Sequence, residues 1–394
     1  MYRFAPSPTG DLHISNLRVA LFNYIRAKQS GDMFIVRIED SDKAKNIDGK
    51  DQEILDILAI FGITYDNLYY QSENFKYHLQ FASSLMSKGK AFACFCSENK
   101  LEDGKCASNC INISQQELLN NNLPFTIRVK SDDVDDFVIM KKDKYPTYNF
   151  ACATDDMLQG IKTIIREENH ISNTPKQELV RTLLGYEEKI QYIHIPEISN
   201  VKDNENNVKW LLDQGYMPEA IINYLILLEN EVPNEIFSLA EAISWFDLKN
   251  ISKVPAKFNI DKLKFLNKEH IKLVEDVELS KRIGYSCASI GKLAKLYTEE
   301  VNTTFEIKEK IDLLFSQKKS DEYQESLDKL KTIVKDAPYF ENFEEFTKYV
   351  DEKSNLKGIK LLNTLQILLI GEESGPELKK VYPLIKNYLQ EIAR

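Results

Sequence analysis

The hydrophobic pattern of the first forty residues changes period twice. Met1 to Ala5 reads as a strand, and Pro6-Ser7-Pro8-Thr9-Gly10-Asp11 is a run of turn-forming residues. From about Ile14 to Ser30 the apolar positions Leu17, Ala20, Leu21, Tyr24 and Ile25 recur at helical spacing. Gly31-Asp32 stops that helix, and the short, apolar, β-branched run Met33 to Ile38 predicts a buried strand. Strand, helix, strand in this order predicts a right-handed crossover joining parallel strands. Further on, the spacing predicts a charged helix over about 49–61 and another over about 77–88. A cysteine-bearing segment with few apolar runs follows and reads as a small insertion, after which strand and helix signals return at 137–140, 148–159 and 162–166. Beyond Val208 the pattern is predominantly helical, with Ala220 to Leu228 as its most apolar stretch and Pro233, Pro255, Pro338 and Pro376 as punctuation. The chain is therefore expected to be α/β and then all-α, with the α/β part split by an insertion. No internal repeat or low-complexity tract interrupts this reading.

Composition sets limits on that picture. At 394 residues, 43% apolar and 28% charged, the chain is too long for one small core, so two to four domains are expected and large-scale disorder is not. No segment approaches the roughly 20 apolar residues of a membrane helix, and the start lacks the apolar core of a secretory signal. A cytoplasmic protein without a membrane partner is expected. A net charge of −10 excludes nucleic-acid binding by bulk electrostatics, so any such face is local. The best candidate runs from Ser252 to Lys272, where lysines 253, 257, 262, 264, 268 and 272 face only Asp261 and Glu269; a solvated helix surface explains it equally well.

Two patterns carry candidate chemistry. The turn before the first helix is stiffened by Pro6 and Pro8, and Gly10 permits close backbone approach. His13 sits where free N–H groups and the helix dipole favour phosphate. The alternative is a proline-rich turn with an incidental histidine. Of six cysteines, Cys94, Cys96, Cys106 and Cys110 fall within 17 residues as C-x-C-x9-C-x3-C, a donor set that can close a tetrahedral structural zinc site; spare thiols are the alternative. Cys152 and Cys287 stand alone.

The stretch Arg3-Phe4-Ala5-Pro6-Ser7-Pro8-Thr9-Gly10-Asp11-Leu12-His13-Ile14-Ser15-Asn16-Leu17-Arg18, followed by Arg37-Ile38-Glu39-Asp40-Ser41-Asp42, resembles the signature of glutamyl- and glutaminyl-tRNA synthetases. The resemblance continues through Pro146 to Ala151, Asp155-Asp156, Arg166 to His170, Ser172 to Gln177 and Pro218 to Leu225, and near the end through Leu356-Lys357-Gly358 and Gly375 to Leu378. It spans essentially the whole chain, and bacterial glutamyl enzymes fit best. The resemblance implies a Rossmann-like class I catalytic domain over 1–90 and 137–200, an acceptor-end insertion over 91–136, a helical stem-contact domain over 201–290 and a helical anticodon-binding domain over 291–394. It implies that Arg3, Ala5, Ser7, Glu39, Tyr148, Cys152 and Arg166 bind glutamate. Pro8, Gly10, His13, Ser15 and Asn16 would bind ATP, accompanied by Mg2+, and His13, Asn16 and Lys202 would assist the transfer. Glutamyl-adenylate would then pass its acyl group to the 3′-terminal adenosine of tRNA-Glu, tRNA-Gln or both. Some relatives hold zinc in the insertion, here through Cys94, Cys96, Cys106 and Cys110, and family analogy implies a monomer.

The chain also departs from the family. Class I enzymes carry a second, Lys-Met-Ser-Lys-like loop, which belongs between Pro196 and Val208; here that segment reads Glu197 to Asn207 with Lys202 as its one lysine. Three places look short: after Glu102, after Lys130, and in this loop. Ser15 and Asn16 replace the usual glycine and histidine of the first motif, and Asn169 stands where an acid is commoner. Two readings stay open: a working ligase whose lysine loop lies on chain outside these 394 residues, and a catalytically impaired paralogue that only binds tRNA.

Overall fold

Each change of period at the amino terminus becomes a change of element. The computed structural model describes every residue except 97–100, 103, 104, 107, 108, 114, 131–135, 203 and 229. Strand β1 (Tyr2–Phe4) leads through the proline-rich turn into helix α1 (Ile14–Ser30), and β2 (Phe34–Ile38) returns parallel to β1 with Arg3 opposite Ile35. Helix α1 ends at Gly31, whose left-handed φ of 67° disfavours any Cβ and lets its N–H close on the Ala27 carbonyl. β2 is buried along its whole length. Helix α2 (Lys50–Ile60) then leads to β3 (Asn67–Tyr70), which adds to the far edge of β2, again in parallel. The apolar pattern gives no warning of β3, because an edge strand with exposed and half-buried residues in alternation has no apolar run.

Helix α3 (Phe75–Ser87) precedes the insertion. Its strands are β4 (Ala91–Cys94), the hairpin of β5 (Leu101–Glu102) with β6 (Lys105–Cys106), then, after helix α4 (Gln115–Asn120), β7 (Thr126–Val129) and β8 (Val138–Met140). The order β4-β7-β8 is antiparallel throughout, unlike the sheet it interrupts. The segments expected to be short after Glu102 and Lys130 fall on residues 103–104 and 131–135, outside the described residues. The α/β pattern resumes with α5 (Tyr148–Leu158), β9 (Thr163–Glu167), α6 (Thr174–Leu184) and β10 (Gln191–Ile195). β9 and β10 are parallel, with Arg166 opposite His194. Buried Asn23 ties α1 to β9, its amide donating to the Ile165 carbonyl at 3.0 Å. Strand β11 (Ile198–Ser199), helices α7 (Val208–Asp213), α8 (Pro218–Leu227) and α9 (Leu239–Trp245), and strand β12 (Ala256–Lys257) follow, β11 pairing with β12 in parallel.

The remaining helices are α10 (Ile260–Leu273), α11 (Asp276–Arg282), α12 (Ala288–Leu296), α13 (Thr304–Phe315), α14 (Gln324–Lys335), α15 (Phe343–Ser354), α16 (Gly358–Ile370), α17 (Leu378–Ile385) and α18 (Leu389–Ile392). The chain forms two compact units, residues 1–209 with 225–258 and residues 210–224 with 259–394. The second is helical around a core that includes Leu293, Ile311, Leu330, Phe346, Leu365 and Tyr382. Sequence chemistry sets its helix starts: Thr303 and Glu306 form a capping box on α13, and Asn259 and Asn342 cap α10 and α15. The basic stretch straddles the units; on α10, Lys264 pairs with Asp261 at 3.7 Å and Lys272 with Glu269 at 2.9 Å. No helix among the described residues is long and apolar enough to cross a membrane.

Helices α11 and α12 approach so closely that a Cβ on Gly291 would lie 1.7 Å from the Asp276 carbonyl oxygen. A glycine-to-alanine change inside a helix ordinarily gains about 0.5–1 kcal/mol. Here overpacking reverses the sign: Gly291→Ala is expected to cost about 1–3 kcal/mol in chemical denaturation, and an unchanged or raised midpoint would contradict so close an approach.

Candidate active site

Two sequence periods converge on one buried charge cluster. On α5, Tyr148, Cys152 and Asp156 are four residues apart and share a helix face. On β2 and just beyond it, Arg37 and Glu39 are two apart and share a sheet face, with Arg3 entering from β1. Asp156 accepts from Arg3 Nε at 3.2 Å and from Arg37 Nη1 at 2.8 Å, so one carboxylate serves two guanidinium groups. Arg37 also donates to Gln159 at 2.7 Å and to Glu39 Oε1 at 3.1 Å. The Cys152 thiol donates to the same Glu39 oxygen at 2.9 Å, while Glu39 Oε2 has no hydrogen-bond partner among the described residues. Burial would raise the Asp156 carboxyl, but Arg3 and Arg37 outweigh it and hold it at about 2. Burial raises Glu39 despite Arg37, and burial with the nearby Glu39 keeps the Cys152 thiol protonated.

Arg166 is placed differently. It is 5% exposed, and its guanidinium donates to His194 Nε2 at 3.4 Å, Gln177 Oε1 at 2.8 Å and Thr174 Oγ1 at 2.7 Å, with the Tyr192 ring 5.2 Å away. None of these acceptors is a carboxylate. Burial and Arg166 depress both neighbouring histidines, His170 to about 4, so neither adds charge at neutral pH. The Tyr148 hydroxyl lies 3.3 Å from His170 Nδ1.

The proline-rich turn is stitched to β2 and beyond: the Pro6 carbonyl accepts from Glu39 N at 2.8 Å and that of Pro8 from Ile47 N at 2.9 Å. Ala5 is half-buried and Ser7 exposed, and a Cβ on Gly10 would meet no atom within 4 Å, so the protein's own packing does not require glycine there. His13 caps α1 without a side-chain hydrogen bond, and the first turn carries no acid. His13, Ser15 and Asn16 line a cleft of about 320 Å³ together with Glu167, Glu197, Ile198, Asn200, Val201 and Asn206. Asn16 donates to Glu167 Oε1 at 3.0 Å. Lys202 belongs to the same loop but is not part of the lining; it is 82% exposed and 3.4 Å from Glu205.

Sequence reasoning assigned no role to Arg37, Asp156, Thr174, Gln177 or His194. The first two had a usable signal in their spacing from Glu39 and Cys152; the last three come together only through the β9–β10 register and the start of α6.

In the insertion, the four cysteines converge. The Sγ atoms of Cys94, Cys96, Cys106 and Cys110 all lie within 4.8 Å of one another, and the separations Cys94–Cys106, Cys96–Cys106 and Cys96–Cys110 are 3.5, 3.6 and 3.7 Å. Tetrahedral thiolates at the usual zinc–sulfur distance would be spaced about 3.8 Å apart, so the donor set fits zinc.

A parallel sheet that feeds a proline-rich turn into a helix start, and that an antiparallel insertion interrupts, defines a class I synthetase catalytic region. The family model "tRNA synthetases class I (E and Q), catalytic domain" matches residues 1–124 and 111–265, and the chain belongs to this family. It is 48% identical to glutamate–tRNA ligase 1 of a Nitratiruptor species and 47% identical to glutamate–tRNA ligase 2 of Sulfurimonas denitrificans, covering all of each. The first alignment spans 430 positions against the 394 residues here, a difference of 36, so that relative carries segments this chain lacks. The crystal structure of a glutamate tRNA ligase from Elizabethkingia meningosepticum, in complex with its amino acid, shares the fold over 99% of this chain and 97% of its own, at a TM-score of 0.79 and 22% identity.

The Asp156 carboxylate makes a pH-dependent contribution with a defined sign. Its folded pKa is depressed, so the stability it contributes is fully present above the unfolded value near about 4 and is lost as pH falls through about 2. Asp156→Asn is expected to cost about 3–5 kcal/mol at neutral pH. The gap between wild type and variant in denaturation free energy should close toward the acid end; a constant gap would exclude Asp156 as the titrating group.

Proposed function

We propose that the chain is a glutamate–tRNA ligase that activates L-glutamate with ATP and transfers the glutamyl group to the 3′-terminal adenosine of tRNA-Glu, tRNA-Gln or both. The observation that carries this reading is the Arg166 charge, buried and matched by no carboxylate. Beside it, Arg3 and Arg37 are matched by Asp156 and Glu39, which leaves Arg166 as the guanidinium of this group without a carboxylate partner. Free glutamate carries two carboxylates and one ammonium, a surplus of one negative charge. On this reading Arg166 and Arg3 receive carboxylates, Glu39 Oε2 receives the ammonium, and Ala5, Ser7, Tyr148 and Cys152 complete the wall.

ATP is assigned to the cleft at the start of α1, with Mg2+. There the N–H groups and the absence of an acid in the first turn favour phosphate, with His13 and Asn16 beside it and Pro8, Gly10 and Ser15 shaping the approach. Attack of a glutamate carboxylate oxygen on the α-phosphorus forms the mixed anhydride and releases pyrophosphate. The terminal ribose hydroxyl of tRNA then attacks the acyl carbon and AMP leaves. Such steps depend mainly on positioning and on charge stabilisation. Lys202 is assigned to the phosphates, because its single exposed ion pair with Glu205 is weak and readily given up.

The same reading divides the chain into a catalytic domain (1–90 and 137–200), an acceptor-end insertion (91–136), a stem-contact domain (201–290) and an anticodon-binding domain (291–394), working as a cytoplasmic monomer. Zinc bound by Cys94, Cys96, Cys106 and Cys110 would brace the insertion, not take part in transfer. Metal analysis of the purified chain is expected to give one zinc per molecule, with the insertion losing protease resistance on chelation; a metal-free chain of equal resistance would remove zinc from the proposal.

The deciding experiment is ATP-dependent attachment of labelled glutamate to purified tRNA-Glu and tRNA-Gln. Arg166→Ala should lower kcat/KM for glutamate by roughly 100-fold or more. Tight tRNA binding with no charging by the wild-type chain would favour the impaired paralogue.

A further inference from the structure

Buried arginines are usually matched by carboxylates, and this pocket contains that solution at Arg3 and Arg37, which share Asp156. Arg166 has three acceptors of comparable reach, yet they are a hydroxyl, an amide oxygen and an imidazole nitrogen. A carboxylate is only one residue away in sequence: Glu178 follows Gln177, but it is turned to Arg181 and to the Tyr192 hydroxyl. Gln177 is held in one orientation. It is fully buried, and its Nε2 donates to Asn149 Oδ1 at 3.1 Å, beside Tyr148, so its Oε1 must face Arg166. His194 accepts from Arg166 Nε through Nε2, which therefore carries no proton. The groups around His194 are Arg166, the parallel-stacked Tyr192 at 6.1 Å, and His170, with Glu178 and Arg181 beyond the Tyr192 hydroxyl.

We infer that Thr174, Gln177 and His194 are positioning residues whose neutrality is their function: they fix the Arg166 guanidinium while leaving its charge for a substrate carboxylate. This rests on the reading of Arg166 as a carboxylate-binding group. A carboxylate at any of these three positions would satisfy Arg166 internally and compete with the substrate. Fold stability and substrate affinity are therefore set against each other at this point.

The test varies charge at nearly constant shape and reads the KM for glutamate in tRNA charging at saturating ATP and tRNA, with thermal midpoints alongside. Gln177→Glu is isosteric and gives Arg166 a buried ion pair. Its KM is expected to rise roughly 10- to 100-fold, the weight of a hydrogen bond to a charged group. Its kcat should change much less, and its thermal midpoint should stay level or rise. His194 is half-buried, so polar Glu and Gln replacements are expected to fold there. His194→Glu should raise KM over the same range, while His194→Gln, a neutral acceptor of similar reach, should stay within about threefold of wild type. This pair carries the test even if Gln177→Glu does not fold. Equal KM values for His194→Glu and His194→Gln, whether both normal or both raised, would overturn the inference, because charge would then not be the variable. A wild-type chain that charges no glutamate would instead overturn the reading of Arg166 on which it rests.

Discussion

The catalytic unit depends on one carboxylate shared by two arginines. Asp156 projects from α5 into the edge of the parallel sheet, where Arg3 of β1 and Arg37 of β2 both close on it within 3.2 Å. A lone ion in that place would be costly, and a simple pair would tie together only two elements. The shared acceptor locks three, and they are the elements that carry the rest of the pocket: Glu39 two residues beyond Arg37, and Cys152 and Tyr148 one and two turns before Asp156. Gln159 gives Arg37 a neutral acceptor and Glu39 a charged one, while the Arg37 Nε finds no partner among the described residues. The result is a floor in which Arg3 and Arg37 are matched by Asp156 and Glu39.

Arg166 lies outside that pairing. In a dry interior an unmatched guanidinium is costly unless it is hydrogen-bonded, and Thr174, Gln177 and His194 occupy three of the five Arg166 N–H donors without neutralising the charge. Depression of His170 to about 4 follows from burial and the same positive field, which keeps the neighbourhood from adding a second cation. The pocket is thus an electrostatic shape as much as a steric one. Beside the paired Arg3, Arg37, Asp156 and Glu39 stand one guanidinium without a carboxylate partner, on Arg166, and one carboxylate oxygen of Glu39 without a hydrogen bond among the described residues.

How much of this was legible in the sequence depended on whether a residue's neighbours are local. Helix α1 was readable because five apolar positions and a terminal Gly31 lie within one segment. β2 was readable as a buried apolar run even though it hides Arg37. Arg3, Glu39, Tyr148 and Cys152 were named through the family signature, and three of them meet in the structure through Glu39 and Asp156. Edge strand β3 lacked an apolar run, and the Arg166 cradle could not be read, because Thr174, Gln177 and His194 reach it only once β10 pairs with β9 in a particular register. The four cysteines sit between these cases: their spacing suggested convergence, and the β4 and β6 strands with the turn at Cys110 supply it.

The segment expected to hold the second lysine motif is not a free loop. Ile14 N donates to the Asn206 carbonyl at 2.9 Å and Val208 N to the Leu12 carbonyl at 3.0 Å, with His13 paired against Asn207 between them. The first motif therefore grips the far end of this segment directly, and β11 anchors its near end through the ladder with β12. Between Ser199 and Asn206 only a short span remains, with Asn200 turned into a left-handed φ of 61°. The Nitratiruptor relative aligns over 36 more positions than this chain has residues. On the proposed reading, a cation must reach phosphates held at the α1 terminus. Lys202 is the one lysine on the span clamped to that terminus, 82% exposed and paired with Glu205.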